Sequence, residues 1–133
     1  MTTLASLDSN VLLRFAMKDV PEQFDRALAL LSSRGTLFRV AGAVWPEIAY
    51  ALERHYGLNR PQVADVLTSL AGIDNIKADE TILSDACRVY VTQPKLSFTD
   101  CYLAAEAAIS GAAPLYTFDA KLARQHASTA LVP

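Results

Sequence analysis

Short β-rich runs alternate with longer runs of helical period along the whole chain, and the breaks between them fall at proline and glycine. Pro21, Pro46 and Pro61 each open an apolar-periodic run, and Gly35, Gly57, Gly72 and Gly111 each follow one. That is the asymmetry of helices, which tolerate proline at the first position and end on glycine. Period 3.6 set against short β-branched runs predicts strands at about 4–7, 36–41, 74–78, 114–118 and 129–132. Helices are expected from Ser9, and over about 21–33, 46–56, 61–71, 80–92, 99–110 and 119–125. Strands separated by helices need crossover connections, and crossovers make parallel sheets covered on both faces. The expected architecture is a three-layer α/β/α sandwich with a central, mostly parallel sheet. With no repeat, linker or low-complexity tract, residues 1–133 read as a single domain.

Composition narrows the function. At 52% apolar and 20% charged residues the chain can bury a core and is unlike a disordered segment. Twelve Lys and Arg against 14 Asp and Glu give a net charge of −2, so bulk positive charge supplies no grip on nucleic acid. The opening MTTLASLDSN lacks a basic segment followed by an apolar run, and no apolar stretch approaches the roughly 18 residues of a membrane span. A cytoplasmic protein without membrane attachment is the expectation. Cys87 and Cys101 form no C-x-x-C and read as buried free thiols.

In an open parallel sheet, the turns that lead from strand to helix share one edge, where ligands bind. Asp8 ends the first strand run, Glu47 stands just inside the helix after the second, and Asp119 ends Leu115-Tyr116-Thr117-Phe118 and opens another helix. Asp100 begins a helix in Ser97-Phe98-Thr99-Asp100 and heads the helical stripe Leu103, Ala104, Ala107, Ala108, Gly111. Each acid alone has an ordinary role, since a capping carboxylate stabilises a helix start by roughly 0.5–2 kcal/mol. Their joint placement points further. Carboxylates brought together repel unless cations are supplied, and a divalent metal is the economical answer. All-oxygen sites suit Mg2+ or Mn2+ rather than zinc. Such a site can activate water for in-line attack on a phosphodiester. With these four acids set aside, the rest of the chain has 12 basic against 10 acidic residues, a mild match for a phosphate substrate.

The runs Leu7-Asp8-Ser9-Asn10-Val11-Leu12-Leu13-Arg14, Ser97-Phe98-Thr99-Asp100 and Leu115-Tyr116-Thr117-Phe118-Asp119, with the acidic helix start at Glu47, resemble PIN-domain ribonucleases. The resemblance is specifically to the VapC toxins of VapBC toxin–antitoxin modules, and it covers nearly the whole chain in the family's order. It implies a PIN-like fold and a Mg2+- or Mn2+-dependent endoribonuclease that cuts RNA, is blocked by a small VapB-type antitoxin, and forms a homodimer. By position Asp8, Glu47, Asp100 and Asp119 match the family's four acids, as catalytic residues and metal ligands. Family members commonly carry Thr or Ser and then Asn after the first acid, which gives Ser9 and Asn10 a supporting role. Asn10 also reads as a local helix-start residue.

Other features point away from rival chemistries. His55 and His126 lie near helix ends, where a dipole or surface role is expected and no Ser-His-Asp triad is anchored. Gly35 and Gly42 are too far apart for G-x-G-x-x-G or a P-loop. Trp45, Tyr50 and Tyr56 read as packing residues, with base stacking or a protein interface as the alternative, and Arg14 and Lys18 as an i, i+4 pair on a solvated face or against phosphate or a partner. Lys121 and Arg124 are close enough in sequence to balance Asp119. Glu53 lies about 240° round the helix from Glu47 and falls outside that site. A phosphoacceptor signalling module expects an acidic pair after the first strand, where this chain has Asp8 alone. A noncatalytic RNA- or protein-binding scaffold need not keep four acids, whereas an RNA-processing nuclease without a toxin role would keep the same ones.

Overall fold

Twelve elements follow one another in a computed structural model that describes residues 2–133. They are β1 (Thr3–Ser6), α1 (Ser9–Met17), α2 (Pro21–Leu31), β2 (Thr36–Arg39), α3 (Val44–Arg54), α4 (Arg60–Ala71), β3 (Ile76–Lys77), α5 (Glu80–Thr92), α6 (Phe98–Ile109), β4 (Leu115–Thr117), α7 (Ala120–Gln125) and β5 (Thr129–Leu131). Every element expected from the periodicity is present. Among the described residues no helix is long and apolar enough to cross a membrane.

The chain divides into two compact units, the first running to Asp79 and the second from Glu80 to Pro133. In the first, β2 lies between β1 and β3, and both pairings are parallel. The register sets Thr3 opposite Thr36 and Ser6 opposite Arg39, then Phe38 opposite Ile76. Helices α1 and α2 make the crossover from β1 to β2, and α3 and α4 that from β2 to β3, as parallel pairing demands. In the second unit β4 and β5 pair in parallel, with Leu115 opposite Thr129 and α7 as the crossover. The fold class is α/β with parallel strands and seven helices, consistent with the three-layer expectation.

The first unit is held by Leu12, Phe38, Trp45, Ile48, Leu52, Val63 and Leu67, all with at most 2% of their surface exposed. Each such side chain contributes about 1.5–3 kcal/mol by leaving water. In α3 the spacing of Trp45, Ile48, Ala49 and Leu52 sets one apolar stripe inward and leaves Glu47 on the wet side. The second unit packs α5 on α6, where Tyr90 meets Phe98 edge-on at 5.3 Å and Phe98 lies 6.2 Å from Tyr102. Cys87 and Cys101 are both buried, as expected.

The boundaries differ from expectation where the local chemistry differs. α3 starts at Val44, so Pro46 is its third residue and not its first. Amides in the first turn have no acceptor within the helix, which makes proline tolerable there. Val44 and Trp45 instead donate to the carbonyls of Ala41 and Gly42. Gly111 ends α6 with φ +76°, and the amides of Gly111 and Ala112 reach back to Ala108 and Ala107, a Schellman closure that favours glycine. Gly72 closes α4 as expected, at φ −83°, a conformation open to any residue. The residue that ends α1 in the left-handed region is Lys18, φ 56°.

Candidate functional site

In the first unit, parallel pairing of β1 and β2 puts the carboxyl ends of both strands on one edge. Asp8 follows β1 there and is the N-cap of α1, with an extended backbone at φ −84°, ψ 159°. Its side chain caps no amide of the helix, and its Oδ1 accepts from the Ser9 hydroxyl at 3.5 Å. Glu47 stands in the first turn of α3, beyond β2. Glu47, Ser9 and Asn10 together line a depression of about 440 Å3, shared with Arg14, Asp19 and Tyr56. His55, at the end of α3, lines it too, whereas Glu53 does not.

In the second unit Asp100 lies in the first turn of α6, half-buried. The helix is capped by Ser97, whose Oγ accepts from the Asp100 amide at 3.1 Å and so fixes the backbone of that acid. The expected packing stripe below Asp100 is only partly realised. Ala104 is buried, but Leu103 and Ala108 are exposed. The inward face runs through Phe98, Cys101, Tyr102 and Ala105, because α5 packs there, and Asp100 stands at its border. Asp119 follows β4 and caps α7, its Oδ1 accepting from the amides of Lys121 at 2.9 Å and Leu122 at 3.2 Å. Among the described residues Asp119 has no ion pair with Lys121 or Arg124.

The four acids lie outside the ion pairs of the chain, a condition they share with Asp25, Asp65, Asp74, Glu80 and Glu106 among the described residues. Among the described residues Asp19 pairs with Arg14, Glu22 with Arg26 and Asp85 with Arg88, whereas Asp8, Glu47, Asp100 and Asp119 have no Lys or Arg partner. Their donor chemistry, oxygen throughout and not neutralised by protein cations, suits a hard divalent ion. No group of three or more His, Cys, Asp or Glu side chains among the described residues forms a metal cage. Mg2+ does not require one, since it is usually held by one or two carboxylates together with waters and substrate phosphates.

A network beside Glu47 had no local signal in the sequence. Arg14 does not act with Lys18. Its Nη1 donates to the Tyr56 hydroxyl at 2.9 Å and pairs with Asp19 at 3.2 Å, and its Nε donates to Gln23 at 3.0 Å. Tyr56 in turn donates to Asp19 at 2.6 Å. That hydrogen bond holds the Asp19 carboxyl below its ordinary pKa and pushes the Tyr56 phenol above its own. The left-handed turn at Lys18 ends α1 and brings Asp19 back toward Arg14, while the Lys18 ammonium lies 5.2 Å from the centre of the Phe24 ring. Arg14 and Tyr56 are 42 residues apart, beyond any helical or strand spacing.

Of the other aromatic residues, Trp45 is fully buried with its indole N–H unpartnered, and Tyr50 is exposed and meets His55 edge-on at 6.4 Å. His126 departs from the expected surface or dipole role. It is buried, its Nδ1 accepts from the Ser128 amide at 3.1 Å, and burial lowers its pKa. It is therefore neutral near pH 7 and contributes no charge to the end of α7.

No curated protein matches the sequence closely. The PIN domain family model matches residues 5–127, a span that includes all four acids. PIN domains are generally nucleases that typically use a divalent metal. With a family match over most of its length and parallel strands joined by crossover helices, the chain belongs to the PIN domain family.

Proposed function

We propose that this chain is a Mg2+- or Mn2+-dependent endoribonuclease that acts as the toxin of a VapBC-type pair. The observation that carries the reading is the placement of the four acids: all lie within the span the family model matches, Asp8 and Asp119 just past parallel strands and Glu47 and Asp100 in helix first turns, with no ion-pair partner among the described residues. In a family of nucleases, carboxylates left in this condition are suited to a metal. Asp8, Glu47, Asp100 and Asp119 would supply the oxygen ligands, and Ser9 and Asn10 would support the substrate. The ion, when bound, supplies an activated water for attack on the phosphodiester and neutralises charge on the leaving oxygen. Asp8 suits direct ligation because its carboxylate is not spent on capping. Asp119 commits Oδ1 to two amides, and among the described residues its Oδ2 has no partner.

The toxin reading requires a partner that silences the enzyme. A groove of about 480 Å3 in the first unit supports one, with Phe15, Phe24, Leu28, Val66 and Ile73 along it and Lys18 and Asp65 at hand. Phe15 and Phe24 stack at 5.8 Å, and Leu28 is 43% exposed. An amphipathic segment of a VapB-type antitoxin fits such a surface. Self-association as a homodimer belongs to the same reading, as does a cytoplasmic location.

The test is cleavage of a mixed RNA pool by purified protein with Mg2+, Mn2+ or EDTA, beside folded Asp8→Asn and Asp100→Asn variants. Cleavage that needs metal and disappears in both variants is expected. Cleavage that survives EDTA and both substitutions would sink the mechanism.

A further inference from the structure

Asn10 and Arg14 line two depressions at once. One contains Glu47. The other, of about 480 Å3, lies between α1 and α2, with Val11, Ala27 and Leu30 as apolar lining and Arg26 beside Arg14 as a second cation. Arg14 is held from three sides, by Gln23, Tyr56 and Asp19, through Nε and Nη1. Among the described residues its Nη2 has no hydrogen-bond partner, so a fixed guanidinium presents one unspent edge. Arg26 contacts Glu22 at 3.3 Å with both side chains about three-quarters exposed, a pairing that water and salt weaken.

We propose that this groove binds a nucleotide of the RNA strand next to the one being cut, its base against Val11, Ala27 and Leu30 and its phosphate between Arg14 and Arg26. The proposal rests on the nuclease reading. Three features favour RNA over a protein segment. The groove adjoins the Glu47 depression through two shared residues. The side chains on its polar side, Asn10, Gln23, Arg14 and Arg26, bring hydrogen-bond donors and two positive charges but no carboxylate. Its apolar lining is three side chains, enough for a flat base and short of the repeated anchors that an amphipathic helix needs. Arginine is suited to the task because its planar fork matches phosphate oxygens and is already oriented here.

The experiment measures anisotropy of a fluorescein-labelled single-stranded RNA of mixed sequence, with the full chain in EDTA, across a range of salt. Wild type is compared with Arg26→Gln and Leu30→Glu, both at exposed positions, with circular dichroism confirming the fold. Loss of one phosphate contact should flatten the log–log salt dependence by about 0.7, equivalent to about fivefold in affinity over a decade of salt. Leu30→Glu should weaken binding further by adding like charge beside the phosphate. Wild-type affinity and slope in both variants overturn the groove, whatever happens to cleavage. If both variants weaken RNA binding while no metal supports cleavage, the groove stands and the nuclease reading falls. If wild type binds poly-glutamate but no RNA, and Arg26→Gln abolishes that, the groove takes an acidic protein partner and the RNA assignment is overturned.

Discussion

Asp119 is asked to do two things, to cap a helix and to serve a metal, and two substitutions separate them. Its Oδ1 accepts from two amides at the start of α7, a helix of only 6 residues that cannot spare its cap. Replacing such a cap by alanine costs about 1 kcal/mol, whereas asparagine caps nearly as well as aspartate. Loss of the charge at the helix start costs a further few tenths of a kcal/mol in either variant. For 133 residues the entropy of unfolding is about 0.28 kcal/mol/K, so Asp119→Ala should lower Tm by about 4 °C and Asp119→Asn by less than about 2 °C. Trp45, the single tryptophan, lies in the first unit, so its fluorescence reports unfolding there, while circular dichroism reports the whole chain. If residues 1–133 are one cooperative domain, both probes should shift together in Asp119→Ala. A shift of about 9 °C confined to the residues from Glu80 onward, with the Trp45 transition unmoved, would mean that the units melt apart. Cleavage of RNA should be lost in both variants despite their different stabilities. An Asp119→Asn variant that cuts RNA like wild type would falsify the metal role and leave Asp119 a cap.

Other outcomes follow from the same contacts. Asn59 and Gln62 form a reciprocal capping box at the start of α4, with both bonds at 2.9 Å, so Asn59→Ala should cost about 1 kcal/mol. Much of that loss should already be present in Gln62→Ala, and full additivity in a double-mutant cycle would contradict the pairing. Asp19 has a folded pKa below its unfolded value, so its contribution is present above the unfolded pKa and is lost as pH falls through the folded one. Tyr56→Phe removes the main cause of that shift and should raise the acid-unfolding midpoint; an unchanged midpoint counts against the network. His126 behaves in the same direction for a different reason. Burial lowers its folded pKa, so stability should be full above its unfolded pKa of about 6.5 and decline below it as the unfolded state takes up the proton. His126→Gln should flatten stability against pH in that window, measured by urea unfolding at several pH values.

The order of elements was legible because it is written in local chemistry. Apolar spacing, proline at helix starts and glycine after helix ends act within a few residues, and they placed every stated boundary to within two residues. The positions of the acids followed from that order, since parallel pairing decides which strand ends share an edge. Asp8 and Asp119 were thus readable as strand-end residues, and Glu47 and Asp100 as first-turn acids, before any coordinates. Side-chain use was not readable. Whether a strand-end acid caps its helix goes with its backbone angle: Asp119, at ψ 104°, bonds two amides, while Asp8, also an N-cap but at ψ 159°, makes no side-chain cap bond.

Distance along the chain marks the division. Sequence by itself determined the α/β class, the parallel connections and the candidate acids, because helix and strand periods and terminal residues are properties of neighbours. Only the tertiary structure decided that Arg14 turns to Asp19 and Tyr56 instead of Lys18, that α5 rotates the packed face of α6 away from Asp100, and that His126 is buried and neutral. These outcomes depend on which helices pack together and on which polar groups lose water in doing so, and packing joins residues that no local period relates.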